Sequence, residues 1–283
     1  MKEELAIALE RIEMIKADRP IYQELMGFYE KVVKERDQYK KSVRFDPTAI
    51  PFEEHLVEVK LKEGFPFFEK EKLPFDYDLM KRYFTTLIAF VRERALEQAN
   101  SIAALAPKEK GGFETLIMNS LKGEKTITQN PLLTFLLNET INPVMEAYAS
   151  YFQDKIKAGI WTREYCPLCG SKPFMGVLKG EEGKRYLICE RCRSEWSFIR
   201  VKCPYCGNED QKKLSYFVAE DDEAYRVETC EKCRKYIKII DMRKINYSIS
   251  YYIENIATLH LDMIALERGY QNDTLSLDAY QSS

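Results

Sequence analysis

Cys166-Pro167-Leu168-Cys169-Gly170, Cys189-Glu190-Arg191-Cys192-Arg193, Cys203-Pro204-Tyr205-Cys206-Gly207 and Cys230-Glu231-Lys232-Cys233-Arg234 hold all eight cysteines of the 283-residue chain. They lie between Trp161 and Lys244, only as Cys-x-x-Cys pairs, and none is left over. A two-residue spacer lets both sulfurs of one turn reach a single tetrahedral ion, so four pairs predict two four-thiolate metal sites. Four thiolates suit zinc or a single iron, and the spacing does not choose between them. With four protein ligands each, such sites are closed, which points to structure or electron transfer rather than an open catalytic position.

The pairs alternate. The first and third carry proline inside and glycine after, where a metal knuckle often needs φ > 0. The second and fourth carry neither. The alternation is an internal repeat of about forty residues. It predicts two modules in series, one built on Cys166, Cys169, Cys189 and Cys192, the other on Cys203, Cys206, Cys230 and Cys233. A cross-braced pairing, first pair with third and second with fourth, is also compatible with spacing. Strand-like runs fall at Arg185–Ile188, Trp196–Ile199, Leu214–Val218 and Tyr225–Glu228, the last two separated by the acidic turn Glu220–Glu223. Metal-tipped hairpins are the expected form. Modules this small would draw much of their folding energy from the ion.

Outward from the cysteines the pattern is helical. Apolar spacing predicts helices over Leu5–Tyr39, broken at Asp18-Arg19-Pro20, around Glu53–Lys62, and from Leu79 to about Leu105, capped by Asp76 or Asp78. A shorter helix follows over Phe113–Leu121. Asn130-Pro131 and Asn142-Pro143 both read as cap-then-proline starts, opening Leu132–Leu137 and Val144–Ala158. Beyond the cysteines, Ile245 to about Arg268 is helical again, and the tail from Gln271 is polar. The fold class is therefore an all-α N-terminal domain, two tandem rubredoxin-like or zinc-ribbon metal modules, and a C-terminal helix. The divisions fall at 1–160, 161–201, 202–245 and 246–283. Of the two histidines, His55 suits the surface or packing and His260 a hydrogen-bonded packing position.

Composition narrows the function classes. The chain is 45% hydrophobic and 31% charged with a formal net charge of −2, ordinary for a globular protein. It has no run approaching about 18 apolar residues, and its start lacks a secretory signal pattern. The compartment expected is the cytoplasm, whose reducing conditions favour metal thiolates over disulfides. Between Arg163 and Lys244 there are 18 Lys and Arg against 14 Asp and Glu, a balance of +4. Two four-thiolate sites with divalent ions each contribute −2, bringing the region to about zero. A nucleic-acid module would keep a basic stripe, so nucleic-acid binding is disfavoured. There is no Gly-rich phosphate loop, Gly-x-Ser-x-Gly or His-Glu-x-x-His, and no nucleophile, base and orienting group stand together. The chain is not expected to be an enzyme. Residue chemistry alone ends at a helical domain carrying twin metal modules, an interaction protein or a redox carrier if the metal is iron.

The residues between the cysteines add more. Trp161-Thr162-Arg163-Glu164-Tyr165 with the first pair, Ser171-Lys172-Pro173 and Gly176, resemble the first metal motif of the FdhE family, accessory proteins of bacterial formate dehydrogenase maturation. The resemblance continues through Arg185-Tyr186-Leu187, Glu195-Trp196, Arg200-Val201-Lys202-Cys203, Arg226-Val227-Glu228-Thr229-Cys230, Tyr236, Lys238 and Ala257–Asp262. It departs at Asn246–Tyr252, where the family tends to carry an acidic segment, and after Gly269. The resemblance implies a cytoplasmic, chaperone-like factor with two four-cysteine sites able to hold iron. Its partner would be the catalytic, molybdopterin-dependent subunit of formate dehydrogenase, matured ahead of twin-arginine export. Arg226, Glu228 and Thr229, beside the fourth pair, are the candidate partner-binding residues.

Overall fold

The computed structural model of the chain describes residues 2–272 except 47, 49, 51, 106–108, 110, 125–126, 128, 157–160 and 219–222. Helices α1 (Lys2–Asp18), α2 (Gln23–Ser42), α3 (Glu54–Glu63), α4 (Tyr77–Arg92), α5 (Leu96–Leu105), α6 (Gly112–Lys122) and α7 (Pro131–Phe152) precede any strand. The strands are β1 (Pro173–Lys179), β2 (Lys184–Cys189), β3 (Glu195–Ser197), β4 (Leu214–Val218), β5 (Tyr225–Cys230) and β6 (Lys235–Asp241). Helices α8 (Tyr251–Ala257) and α9 (Leu259–Glu267) close the described chain.

Local chemistry explains most boundaries and corrects three of the expected ones. Asp76, not Asp78, caps α4: its Oδ1 accepts from the Leu79 amide at 2.9 Å. Asn130 caps α7 in the same way through Leu133, also at 2.9 Å. Asn142-Pro143 does not start a helix. Pro143 lies inside α7, where its missing amide costs a backbone hydrogen bond. Ile141, Val144 and Met145 around it are all buried, and that packing holds the helix through the break. The Asn142 side chain is engaged elsewhere, donating to the Glu190 carbonyl at 3.1 Å. The long helix expected over Leu79–Leu105 is two, α4 and α5, with Arg94 in the turn donating to the Glu24 carbonyl at 2.9 Å. The C-terminal helix likewise divides into α8 and α9 at Thr258, whose hydroxyl bonds back to the Glu254 carbonyl at 2.7 Å.

The two hairpins share one six-stranded sheet, ordered β3-β2-β1-β6-β5-β4. All neighbours are antiparallel except the central β1–β6 pair, which runs parallel from Met175↔Lys238 to Leu178↔Asp241. β1 and β6 are covered on both faces and are buried continuously rather than in alternation, Lys238 included. Leu178, Leu187, Ile237 and Ile239 point from one face into the main core, formed with α2 to α7. Met175, Val177, Ile188, Tyr225, Val227, Tyr236 and Ile240 point the other way, beneath Leu261 and Ala265 of α9. A third cluster, Ile12, Ile15 and Met26 with Ile253 and Ile256, fastens α8 to α1 and α2. Buried polar groups lock these layers. Lys238 Nζ reaches Asp262 Oδ2 at 2.6 Å and the Asn255 carbonyl at 2.7 Å, while the Tyr236 hydroxyl donates to Asp262 Oδ1 at 2.9 Å. No helix among the described residues is long and apolar enough to cross a membrane.

Candidate metal centres

The cysteines gather in series: Cys166, Cys169, Cys189 and Cys192 in one cluster, Cys203, Cys206, Cys230 and Cys233 in the other, with sulfurs within 4.8 Å of one another in each. The cross-braced alternative is thereby removed. In the first cluster Sγ–Sγ separations are 3.6 Å for Cys166–Cys192, 3.4 Å for Cys169–Cys189 and 3.6 Å for Cys169–Cys192. In the second they are 3.7 Å for Cys203–Cys233 and 3.8 Å for Cys206–Cys230. A tetrahedron of sulfurs around an ion at ~2.3 Å has edges of ~3.8 Å. A disulfide would bring two sulfurs to ~2.05 Å. The spacing fits a metal in each cluster and not a bridge.

One turn is used repeatedly. The amides of Cys166, Cys189 and Cys203 donate five residues on, to the carbonyls of Ser171 (2.8 Å), Ser194 (2.9 Å) and Asn208 (2.8 Å). Gly170, Gly207 and Arg234 donate back to Cys166 (2.9 Å), Cys203 (3.1 Å) and Cys230 (2.8 Å). The residue after each pair is left-handed: Gly170 at φ 72°, Arg193 at 57°, Gly207 at 67° and Arg234 at 57°. Only the glycines adopt this without steric cost. A Cβ on Gly170 would also meet Pro66 Cγ at 2.8 Å. The pairs that look plain in sequence are therefore the same turn with arginine in the strained position. Arg193 lies over the Phe174 ring at 4.3 Å and 3.6 Å from the Glu146 carboxylate, whereas Arg234 lies over Tyr270 at 4.3 Å and donates to the Arg268 carbonyl at 3.0 Å. These contacts offset the strain, and the Cys-x-x-Cys-Arg repeat is their one signal in sequence.

The surroundings of the two clusters differ. All four cysteines of the first are buried, and they are part of the main core. Phe67 and Phe68 donate their amides to the carbonyls of Pro167 (2.8 Å) and Leu168 (2.9 Å). Arg191 reaches Asn138 Oδ1 at 2.5 Å and the Ser120 carbonyl at 3.1 Å. Glu146, which also pairs with Arg36 and, at 3.1 Å, with Lys40, ties Arg193 to α2 and α7. In the second cluster Cys203 and Cys230 are buried, Cys233 is half-buried and Cys206 is exposed. Burial pushes the Cys166 and Cys189 thiols up. At Cys206 the upward push of burial is outweighed by the Asn208 amide and the neighbouring cysteines, which hold it below its ordinary value.

Beside the second cluster lie the other candidate residues. Glu228 Oε2 is 3.0 Å from Arg185 Nη2, and its Oε1 pairs with Arg226. The Thr229 hydroxyl donates to the Ser215 carbonyl at 3.3 Å. Arg226 and Glu228 share one face of the sheet, and Thr229 points to the other. Trp161 and Trp196 are buried, donating to the carbonyls of Tyr165 (2.7 Å) and Arg163 (3.3 Å). His55 is exposed, and His260 packs with Nδ1 3.3 Å from Arg19 Nη1. The acidic turn at 220–222 and the tail from 273 onward lie outside the described residues.

The model described as "FdhE, central domain" matches residues 165–200, and that described as "FdhE, C-terminal domain" matches 201–277. An FdhE homolog from Aquifex aeolicus is 30% identical over 277 residues, covering 95% of this chain and 93% of that protein. An FdhE homolog from Edwardsiella ictaluri is 38% identical over 117 residues, 40% of this chain and 37% of its own length. The crystal structure of the FdhE protein from Pseudomonas aeruginosa has the same fold, with a TM-score of 0.69 across 97% of this chain and 94% of that one, at 20% identity. The helical layer, the twin cysteine turns and this full-length likeness agree, and the chain belongs to the FdhE family.

Proposed function

We propose that this chain is a cytoplasmic accessory protein that binds the catalytic, molybdopterin-dependent subunit of formate dehydrogenase and assists its maturation, acting by binding rather than by catalysis. The observation that carries this reading is the asymmetry of the two clusters: one seated in the core, the other with Cys206 exposed. Each cluster would hold one ion, iron or zinc, through its four cysteines. The first ion would brace the helical domain against the sheet, and the second would shape a partner-facing surface including Arg226, Glu228 and Thr229. The divisions at 161, 202 and 246 would mark units of function on a shared sheet. Co-purification with a formate dehydrogenase catalytic subunit tests this: the native chain forms a complex, and a Cys230→Ser, Cys233→Ser variant loses it. Absence of a complex with the native chain would sink the reading. The exposure of Cys206 also suits electron transfer if the ion is iron, and a thiolate-to-iron absorption band that cycles with reductant would favour that alternative.

A further inference from the structure

The two edges of the sheet are built differently. β3 is three residues long, and its Glu195 is held by Lys179 at 2.5 Å. β4 is Leu214-Ser215-Tyr216-Phe217-Val218, without a charge or a proline, and among the described residues no strand pairs with its outer side. Natural edges are normally shortened, charged or covered, because their free amides and carbonyls template another strand. Register places Leu214, Tyr216 and Val218 opposite Cys230, Glu228 and Arg226, on one face. Tyr216 is 65% exposed and Val218 45%.

Leu214 and Tyr216 also line a pocket of about 290 Å³ against the second cysteine cluster. Arg185, Arg200, Lys202, Arg226 and Lys235 contribute to its wall, with Glu228 the single carboxylate. Lys202 is answered from outside by Glu164 at 2.9 Å. Even with two negative charges from a filled four-thiolate site, the wall stays positive. Arg185 is 3% exposed. Its Nη1 donates to the Lys202 carbonyl at 2.9 Å, but its Nε has no hydrogen-bond partner, nor does the buried Nε of Arg226. Glu228 is shared by the buried Arg185 and the half-buried Arg226, and Asp241, which also acts on Arg226, is itself held by Arg243. The positive wall and the unpartnered guanidinium nitrogens suit a further carboxylate.

We propose that an extended acidic segment of a partner protein adds to the outer side of β4, laying apolar side chains on Tyr216 and Val218 and a carboxylate against Arg226 and Arg185. Strand addition supplies main-chain hydrogen bonds, and the pocket supplies the choice of charge. The proposal rests on the reading that a partner meets the second module, and it names that partner's chemistry.

The test uses the full-length, metal-replete chain and a fluorescein-labelled octapeptide alternating glutamate and valine, followed by anisotropy. This peptide should bind, and a lysine–valine octapeptide should not. Arg226→Glu should weaken binding by roughly tenfold or more, Arg226→Lys by no more than about threefold, and Tyr216→Ala by an intermediate factor. Metal content and circular dichroism confirm that each variant is folded, and Tyr216→Ala keeps the test available if Arg226→Glu is not. Equal binding of the lysine–valine peptide, or full affinity in both Arg226→Glu and Tyr216→Ala, would overturn the proposal. So would inorganic phosphate binding as tightly as the peptide and displacing it, since that describes a free-anion site. No dehydrogenase enters this assay. Peptide binding without a dehydrogenase complex would retain the acidic-segment site and discard that partner, and a complex without peptide binding would do the reverse.

Discussion

The two cysteine clusters use the same turn and differ in everything around it. The first is enclosed by α6, α7 and the Phe67-Phe68 segment, so its metal would be a keystone of the main core. The second belongs to none of the buried apolar clusters and turns Cys206 outward. Identical ligand chemistry thus has two consequences. Where the chain encloses the sulfurs, losing the ion would leave four desolvated thiols and the helical layer without its footing. Where solvent reaches them, the ion can be lost with local opening only.

Removing one ligand from each cluster should break the comparison most sharply. Structural four-ligand sites contribute on the order of 10 kcal/mol, comparable with the whole stability of a domain. Cys169→Ser should therefore abolish soluble expression. Cys206→Ser should fold and melt cooperatively, while its metal content falls from two ions toward one after brief treatment with a chelator. Elemental analysis beside a thermal melt reads both. A soluble Cys169→Ser protein with native melting would show that the first cluster does not support the core.

A smaller contrast lies in the two left-handed arginines. Glycine at either position would relieve about 1 kcal/mol of backbone strain. At Arg193 that gain is outweighed, because the side chain links Phe174 and the buried Glu146. Arg193→Gly should destabilise by ~1–2 kcal/mol, lowering the melting temperature by about 2–4 °C per kcal/mol. Arg234 is about half exposed, and its pair with Glu231 lies in solvent. Its contacts with Tyr270 and the Arg268 carbonyl offset the strain, so Arg234→Gly should be neutral within ~1 kcal/mol. Equal losses at both sites would mean that the arginines serve the turn itself rather than what surrounds it.

Much of this arrangement was legible in the residues, for identifiable reasons. Cys-x-x-Cys spacing is local geometry, so the ligand sets and the glycines at 170 and 207 could be read directly. Strands β2, β4 and β5 lie within or beside runs rich in aromatic and β-branched residues. The central strands carry no such mark: Phe174-Met175-Gly176-Val177-Leu178 and Tyr236-Ile237-Lys238-Ile239-Ile240 are buried on both faces, which erases the alternation that marks a strand. Their parallel pairing, which makes one sheet of two repeats, joins residues about sixty apart in sequence and leaves no local trace. Arg185 stands out in the sequence as the start of a strand-like run and as part of a resembling one, not as a buried cation. Its burial against Glu228 depends on β2 and β5 meeting through two intervening strands. Pro143 misled because proline after asparagine is a start signal unless tertiary burial overrides it.

The least of the expected effects concerns the cover over the second module's other face. α9 contacts β5 and β6, and His260 at its start faces Arg19 of the α1–α2 turn. Burial first, then Arg19 and Lys238, push the imidazole down from 6.5 to about 4, against a backbone hydrogen bond with Ala257 that raises it. Tyr22 lies beside them, its own value raised chiefly by burial and also by Asp262, and lowered by the His260 backbone and Arg19. Between pH ~6.5 and ~4 the unfolded chain binds a proton that the folded ring refuses, so stability rises with pH across that window and is lost on acidification. Because the ring is only partly buried, the loss should be on the order of 1 kcal/mol. His260→Gln should flatten this limb of the stability profile while leaving neutral-pH stability within about 1 kcal/mol. Hydrogen exchange should show β5 and β6 losing protection in acid before β1 and β2 do in the native chain. Simultaneous loss in all four strands would mean that the C-terminal layer braces both modules alike, leaving the difference between them to the cysteine ends.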